Sequence, residues 1–119
     1  MAAPNKSVTL RNNQQFRKVY DLGKKFETTY FSLFILKTGS GEQRHGITVT
    51  RKIGGAVVRN RCKRRMREVI RKYYQKKLEE SIGYDLVVNV KSGTVTAKFN
   101  EIEESFAQVM NRFLKTVLR

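Results

Sequence analysis

Apolar positions along this chain switch between the helical and the strand rhythm. Phe16, Val19 and Tyr20 keep a three-and-four spacing behind Asn12, which with Gln15 three residues on fits a capping box. Gly23 can close that segment, so a first helix is expected over about 12–22, after a polar lead at residues 1–9. FETTYFSLFILK, rich in aromatic and branched residues, reads as strand. Its Phe31, Leu33 and Ile35 form one face, suited to a core; Tyr30, Ser32, Phe34 and Leu36 form the other. KTGSGEQRH supplies a glycine-containing turn before a strand from Gly46 to Arg51, so a hairpin is expected. Ile47 and Val49 point to one side of that strand, Thr48 and Thr50 to the other.

From about Val58 the rhythm is helical again, with Val58, Cys62, Met66, Val69, Ile70 and Tyr73 on one stripe, and the helix should run to about Glu80. Ile82-Gly83 breaks it. Tyr84 to Val90 is a nearly continuous apolar run, typical of a strand covered on most sides. Lys91-Ser92-Gly93 turns the chain, and from about Thr96 a last amphipathic helix carries Phe99, Ile102, Phe106, Val109, Met110, Phe113 and Val117. Its acids Glu101, Glu103 and Glu104 come early and Arg112, Lys115 and Arg119 late, as the helix dipole favours.

Charge changes this picture at one place. Residues 51–77 hold 12 of the 25 Lys and Arg but only one of the ten acids, Glu68. At about 100° per residue, Asn60, Lys63, Arg64, Arg67 and Arg71 fall together opposite the apolar stripe, and Arg61, Arg65 and Lys72 form a second flank. Like charges three and four residues apart each cost a helix a few tenths of a kcal/mol, and a surface serving solubility alone would intersperse acids. A polyanion would remove the repulsion and release counterions on binding. The net charge of +15 over 119 residues likewise implies an anionic partner, with nucleic acid and membrane surface the two common candidates.

The run Arg59-Asn60-Arg61-Cys62-Lys63-Arg64, preceded by Arg51-Lys52-Ile53-Gly54-Gly55-Ala56-Val57-Val58 and followed by Arg67, resembles the signature of the bacterial ribonuclease P protein family. Gly55 stands where many members carry Asn, and Arg51 where many carry Lys; neither disturbs the charge argument. The resemblance covers nearly the whole chain and implies one domain, 1–119, folded as a two-layer α/β sandwich in the order α-β-β-β-α-β-α. It also implies a left-handed crossover in the strand-helix-strand unit, where the general rule is right-handed.

By the same resemblance, the chain assists a catalytic RNA that cuts precursor tRNA to the mature 5′ end. That RNA and its Mg²⁺ perform the hydrolysis, and no organic cofactor is expected. Carried over, Phe16, Tyr20, Ser32, Phe34, Thr48, Thr50, Asn60, Arg64 and Arg67 would receive the single-stranded 5′ leader. Arg51, Lys52, Arg59, Arg61, Lys63, Arg65 and Arg71 would contact the catalytic RNA. The residue types suit these parts: aromatics stack on bases, arginines hold phosphates bidentately, and Asn60 can donate and accept at a sugar or base edge.

The residues agree with a division of labour. A nuclease acting alone needs a carboxylate cluster for metal or a histidine-based acid–base pair, whereas Asp21, Glu27, Glu68 and Asp85 are isolated along the sequence. The one histidine, His45, is expected on a surface loop. Gly39, Gly41 and Gly46 do not make a nucleotide loop, since no Gly-Lys-Ser or Gly-Lys-Thr follows. Cys62, the only cysteine, lies on the apolar stripe and reads as a small buried hydrophobe. The N-terminus lacks an apolar signal region and no stretch approaches the ~20 apolar residues of a membrane span, so a cytoplasmic protein without a membrane partner is expected. Three rivals share the charge: a general RNA-binding structural protein such as a ribosomal component, a DNA-binding helix-turn-helix, and a basic amphipathic membrane helix. Strands rather than a short partner helix precede the basic helix, which disfavours DNA. The core's need for Cys62 and Met66 disfavours the membrane.

Overall fold

The computed structural model describes residues 8–39, 41–76 and 83–117. The polar lead up to residue 7, the end of the basic helix beyond Lys76, Ile82 and Arg119 lie outside them.

A five-stranded mixed sheet, in the order β1-β4-β5-β3-β2, organises the chain. Its strands are β1 (Val8–Thr9), β2 (Lys24–Glu27), β3 (Phe31–Lys37), β4 (Gln43–Thr48) and β5 (Tyr84–Val90). Helix α1 (Asn13–Leu22) follows β1, α2 (Ala56–Lys76) links β4 to β5, and a short α3 (Gly93–Thr96) precedes α4 (Phe99–Val117). The sheet and the layer of α2 and α4 make the expected two-layer sandwich. Helix α1 is added on the opposite face, against β3 and β5.

Alternation along the strands builds both faces. Phe31, Leu33 and Ile35 of β3 and Tyr84, Leu86, Val88 and Val90 of β5 join Cys62, Met66, Val69 and Ile70 of α2 and Ile102, Phe106, Met110 and Phe113 of α4 in the main core. Each such side chain, fully buried, is worth about 1.5–3 kcal/mol. On the other face Val87 packs with Leu10 and Val19, with Phe16, Phe34 and Leu36 at their margin. Beside them Arg44 grips the buried Asp85 carboxylate through two bonds of 2.8 and 2.7 Å.

Several expectations are corrected. Strands β3 and β4 form no hairpin, because β5 lies between them, antiparallel to β3 and parallel to β4. A strand apolar on both faces belongs at the centre of a sheet, and the centre requires two neighbours. The true hairpin is β2–β3, since FETTYFSLFILK breaks at residues 28–30, where the Thr28 hydroxyl accepts from the Tyr30 and Phe31 amides at 3.1 Å. Strand β4 spans Gln43–Thr48 rather than Gly46 to Arg51, so His45 is a strand residue, half-buried, and not a surface-loop one. Arg51–Ile53 instead form a single 3-10 turn, preceded by Thr50, whose carbonyl accepts from the Ile53 amide at 3.1 Å. The polar lead contributes β1, parallel to β4.

Helix α1 does carry the capping box: the Gln15 amide donates to Asn12 Oδ1 at 2.9 Å, and the Asn12 amide to Gln15 Oε1 at 3.2 Å. Gly23 closes it, but with an extended backbone (φ −80°) rather than a left-handed one. Close approach requires the glycine there, for a Cβ would stand 2.5 Å from the Val19 carbonyl oxygen.

Candidate nucleic-acid interface

Opposite the main core, the sheet register lines up three crosswise rows. Glu27, Ser32, Asn89 and Thr48 form a polar row across β2, β3, β5 and β4. Next to it run Lys25, Phe34, Val87 and Gly46, and beyond them Leu36, Asp85 and Arg44. Helix α1 covers the middle row and leaves the polar row at its side.

The Phe16 ring lies directly on the β4 backbone, which only glycine allows: a Cβ on Gly46 would meet the ring at 2.4 Å. One turn on, Tyr20 meets Phe34 edge to face, centroids 4.9 Å apart, and donates its hydroxyl to Asn89 Oδ1 at 2.8 Å. Thr48 donates to the same oxygen at 2.5 Å. With Oδ1 engaged twice, the donor that this half-buried side chain keeps is its amide nitrogen. Tyr20 remains exposed, and the Lys25 ammonium stands 5.6 Å over the Phe34 ring. Ser32 is buried and donates to Glu27 at 2.5 Å, which, with Lys25 and Lys91, holds that carboxyl below its usual range.

Phe16, Tyr20, Ser32, Phe34 and Thr48 are therefore brought together. Thr50 is not, because the strand has ended and its alternation no longer applies. Asn60, Arg64 and Arg67 stand on α2, which packs against β4 from the other side. Arg67's charge reaches His45, whose pKa is lowered first by burial and then by that charge. Asn89 went unnoticed in the sequence; its parity with Asp85 and Val87 inside an apolar run was the available signal.

The two flanks of α2 differ. Arg61 donates to the Val95 carbonyl at 2.8 Å, and Arg65 to Thr94 and Ala97 at 2.8 and 2.6 Å. Lys72 lies 5.0 Å over the Phe99 ring. Those cations fasten α2 to α3 and α4. Arg71 pairs with Glu68 on the outer surface, Arg51 and Lys52 are exposed on the 3-10 turn, and Lys63 is half-buried. Arg59 is half-buried too, with its Nε enclosed and unbonded.

The sequence model of the family described as Ribonuclease P matches residues 5–114. The chain belongs to this ribonuclease P family. The ribonuclease P protein component of Clostridioides difficile is 35% identical to it over 108 residues, covering 91% of this chain and 93% of that one. The solved ribonuclease P protein of Thermotoga maritima is 30% identical with a TM-score of 0.75, over 87% of this chain and 96% of that one. A Staphylococcus aureus structure of the same name, 23% identical with a TM-score of 0.73 over 89% and 94% of the two chains, shows the shared fold. Among the described residues of this ribonuclease P family member, no helix is long and apolar enough to cross a membrane.

Proposed function

We propose that this chain works as the protein component of ribonuclease P, binding a catalytic RNA and the 5′ leader of precursor tRNA while the RNA breaks the phosphodiester. The observation that carries this reading is the meeting of Phe16, Tyr20 and Phe34 with the Thr48–Asn89 pair on one partly open sheet face. Aromatic edges and faces there offer stacking worth ~1–3 kcal/mol per base. The Asn89 amide nitrogen and the Tyr20 hydroxyl offer polar contacts to a splayed single strand. Arg64 and Arg67, exposed on α2, supply phosphate contacts for the same strand.

The catalytic RNA falls to Arg51, Lys52, Arg59, Lys63 and Arg71, together with the N–H groups of Arg61 left over from α3. Arg65 is given a structural part instead. Mg²⁺, in this reading, is held by the RNA: among the described residues, no group of three or more His, Cys, Asp or Glu side chains could hold a metal ion. No step is assigned to the metal at a protein site.

The test adds the purified chain to a catalytic RNA of this class at low Mg²⁺ and follows precursor tRNA cleavage. Stimulation is expected, and Phe16→Ala should weaken precursor binding while leaving mature tRNA binding unchanged, with thermal unfolding as the check on the fold. Absence of stimulation would favour a general RNA-binding structural role, and equal loss for mature tRNA would remove the leader from the sheet face.

A further inference from the structure

A second basic surface lies at the β2 edge of the sheet, away from β4. There β2 and the last turns of α4 line a groove of about 550 Å³ with Lys24, Phe26, Arg112 and Lys115, while Lys25 and Glu27 border it from the other parity of β2, paired with each other, the Lys25 ammonium lying over Phe34. That carboxylate is already met by Ser32, Lys25 and Lys91. Phe26 forms the floor, with one side packed on the main core and the Arg112 guanidinium 5.6 Å from its ring centroid. The groove therefore offers charge without an open ring for a base. Strand β2 is the sheet's edge, three strand spacings or roughly 14 Å from β4.

We infer that the β2–α4 groove is a second, sequence-independent RNA site that holds phosphodiester backbone apart from the strand at α2. The inference rests on the reading of this protein as an RNA-binding subunit. Two blander accounts each explain half of the cluster. Lysines on an edge strand discourage edge-to-edge pairing, and cations near a helix C-terminus suit its dipole. Neither accounts for Lys24 of the strand and Arg112 and Lys115 of the helix lining one groove whose only carboxylate is already engaged.

The full chain carrying Lys24→Gln with Lys115→Gln tests this, both residues being exposed. Binding is measured against salt in two arms: the catalytic RNA alone, and precursor tRNA with the assembled complex. Each phosphate no longer neutralised reduces the log–log slope by about 0.7–0.9, so a fall of about one to two units is expected in at least one arm. A fall in the first arm assigns the backbone to the catalytic RNA, and a fall in the second to the precursor. Slopes unchanged in both arms, while Arg64→Gln with Arg67→Gln lowers them, would overturn the groove and leave the RNA-binding reading standing, even if the edge variant proved less soluble. Slopes unchanged for both double variants would overturn the two together.

Discussion

Both sides of α2 carry arginines, Arg61 and Arg65 on one and Arg64 and Arg67 on the other, and the two are put to different uses. Arg61, Arg65 and Lys72 turn toward α3 and α4, where carbonyls and a ring engage them. Asn60, Arg64 and Arg67 are exposed on the helix, and Arg67's charge is felt by His45. A guanidinium that has met backbone carbonyls has already exchanged part of its hydration for protein bonds, so a phosphate finds fewer donors left on it. Counting cations therefore overstates an interface; what matters is which donors remain unspent.

The largest effect should come from the spent side. Arg65→Ala strips two donors from the Thr94 and Ala97 carbonyls and should lower stability by about 1–3 kcal/mol in urea titration, with the salt slope of RNA binding unchanged. Arg64→Ala with Arg67→Ala should do the reverse. Stability should stay within about 0.5 kcal/mol, while the slope falls by about 0.7–0.9 for each phosphate that the variant no longer neutralises. A large stability loss there would erase the distinction between the flanks. Lys72→Gln, which removes the cation over Phe99, should cost about 0.5–1 kcal/mol and leave RNA binding alone.

The smallest effect sharpens the comparison through pH. The unfolded chain protonates His45 near pH 6.5, the folded one only at lower pH, since burial and Arg67 disfavour the cation. Stability should thus be full above that value and decline as pH falls through the window below it. Arg67→Gln removes one of the two causes, so the His45 midpoint followed by NMR should rise. A midpoint that stays put would show that the Arg67 charge does not act on His45.

The helices and the buried faces were legible in the sequence because periodicity alone decides them: Cys62, Met66 and Val69 on α2, Phe31, Leu33 and Ile35 on β3, and the Asn12–Gln15 box all stand where the pattern puts them. Strand pairing was not legible. Both β3 and β4 are flanked by turn residues, and nothing local says that a strand more than thirty residues later takes the place between them. The sheet-face aromatics could be grouped by parity, whereas the Phe16–Gly46 contact and the Tyr20–Asn89–Thr48 bonds depend on how α1 crosses the sheet. The division of α2 into spent and unspent cations depends on where α3 lies, and GTVT carries little helical signal of its own.

The late arrival of β5 bears on how the chain is made. While a ribosome has released only the residues up to the end of α2, β3 and β4 lack the strand that joins them, and each shows an unpaired edge. The β2–β3 hairpin is local and is available early; the rest of the sheet must wait for residues 84–90, because contacts that span long stretches of chain cannot form before both partners exist. During synthesis this strongly basic polypeptide is thus a half-built sheet, and its completion is held back until β5 has been made.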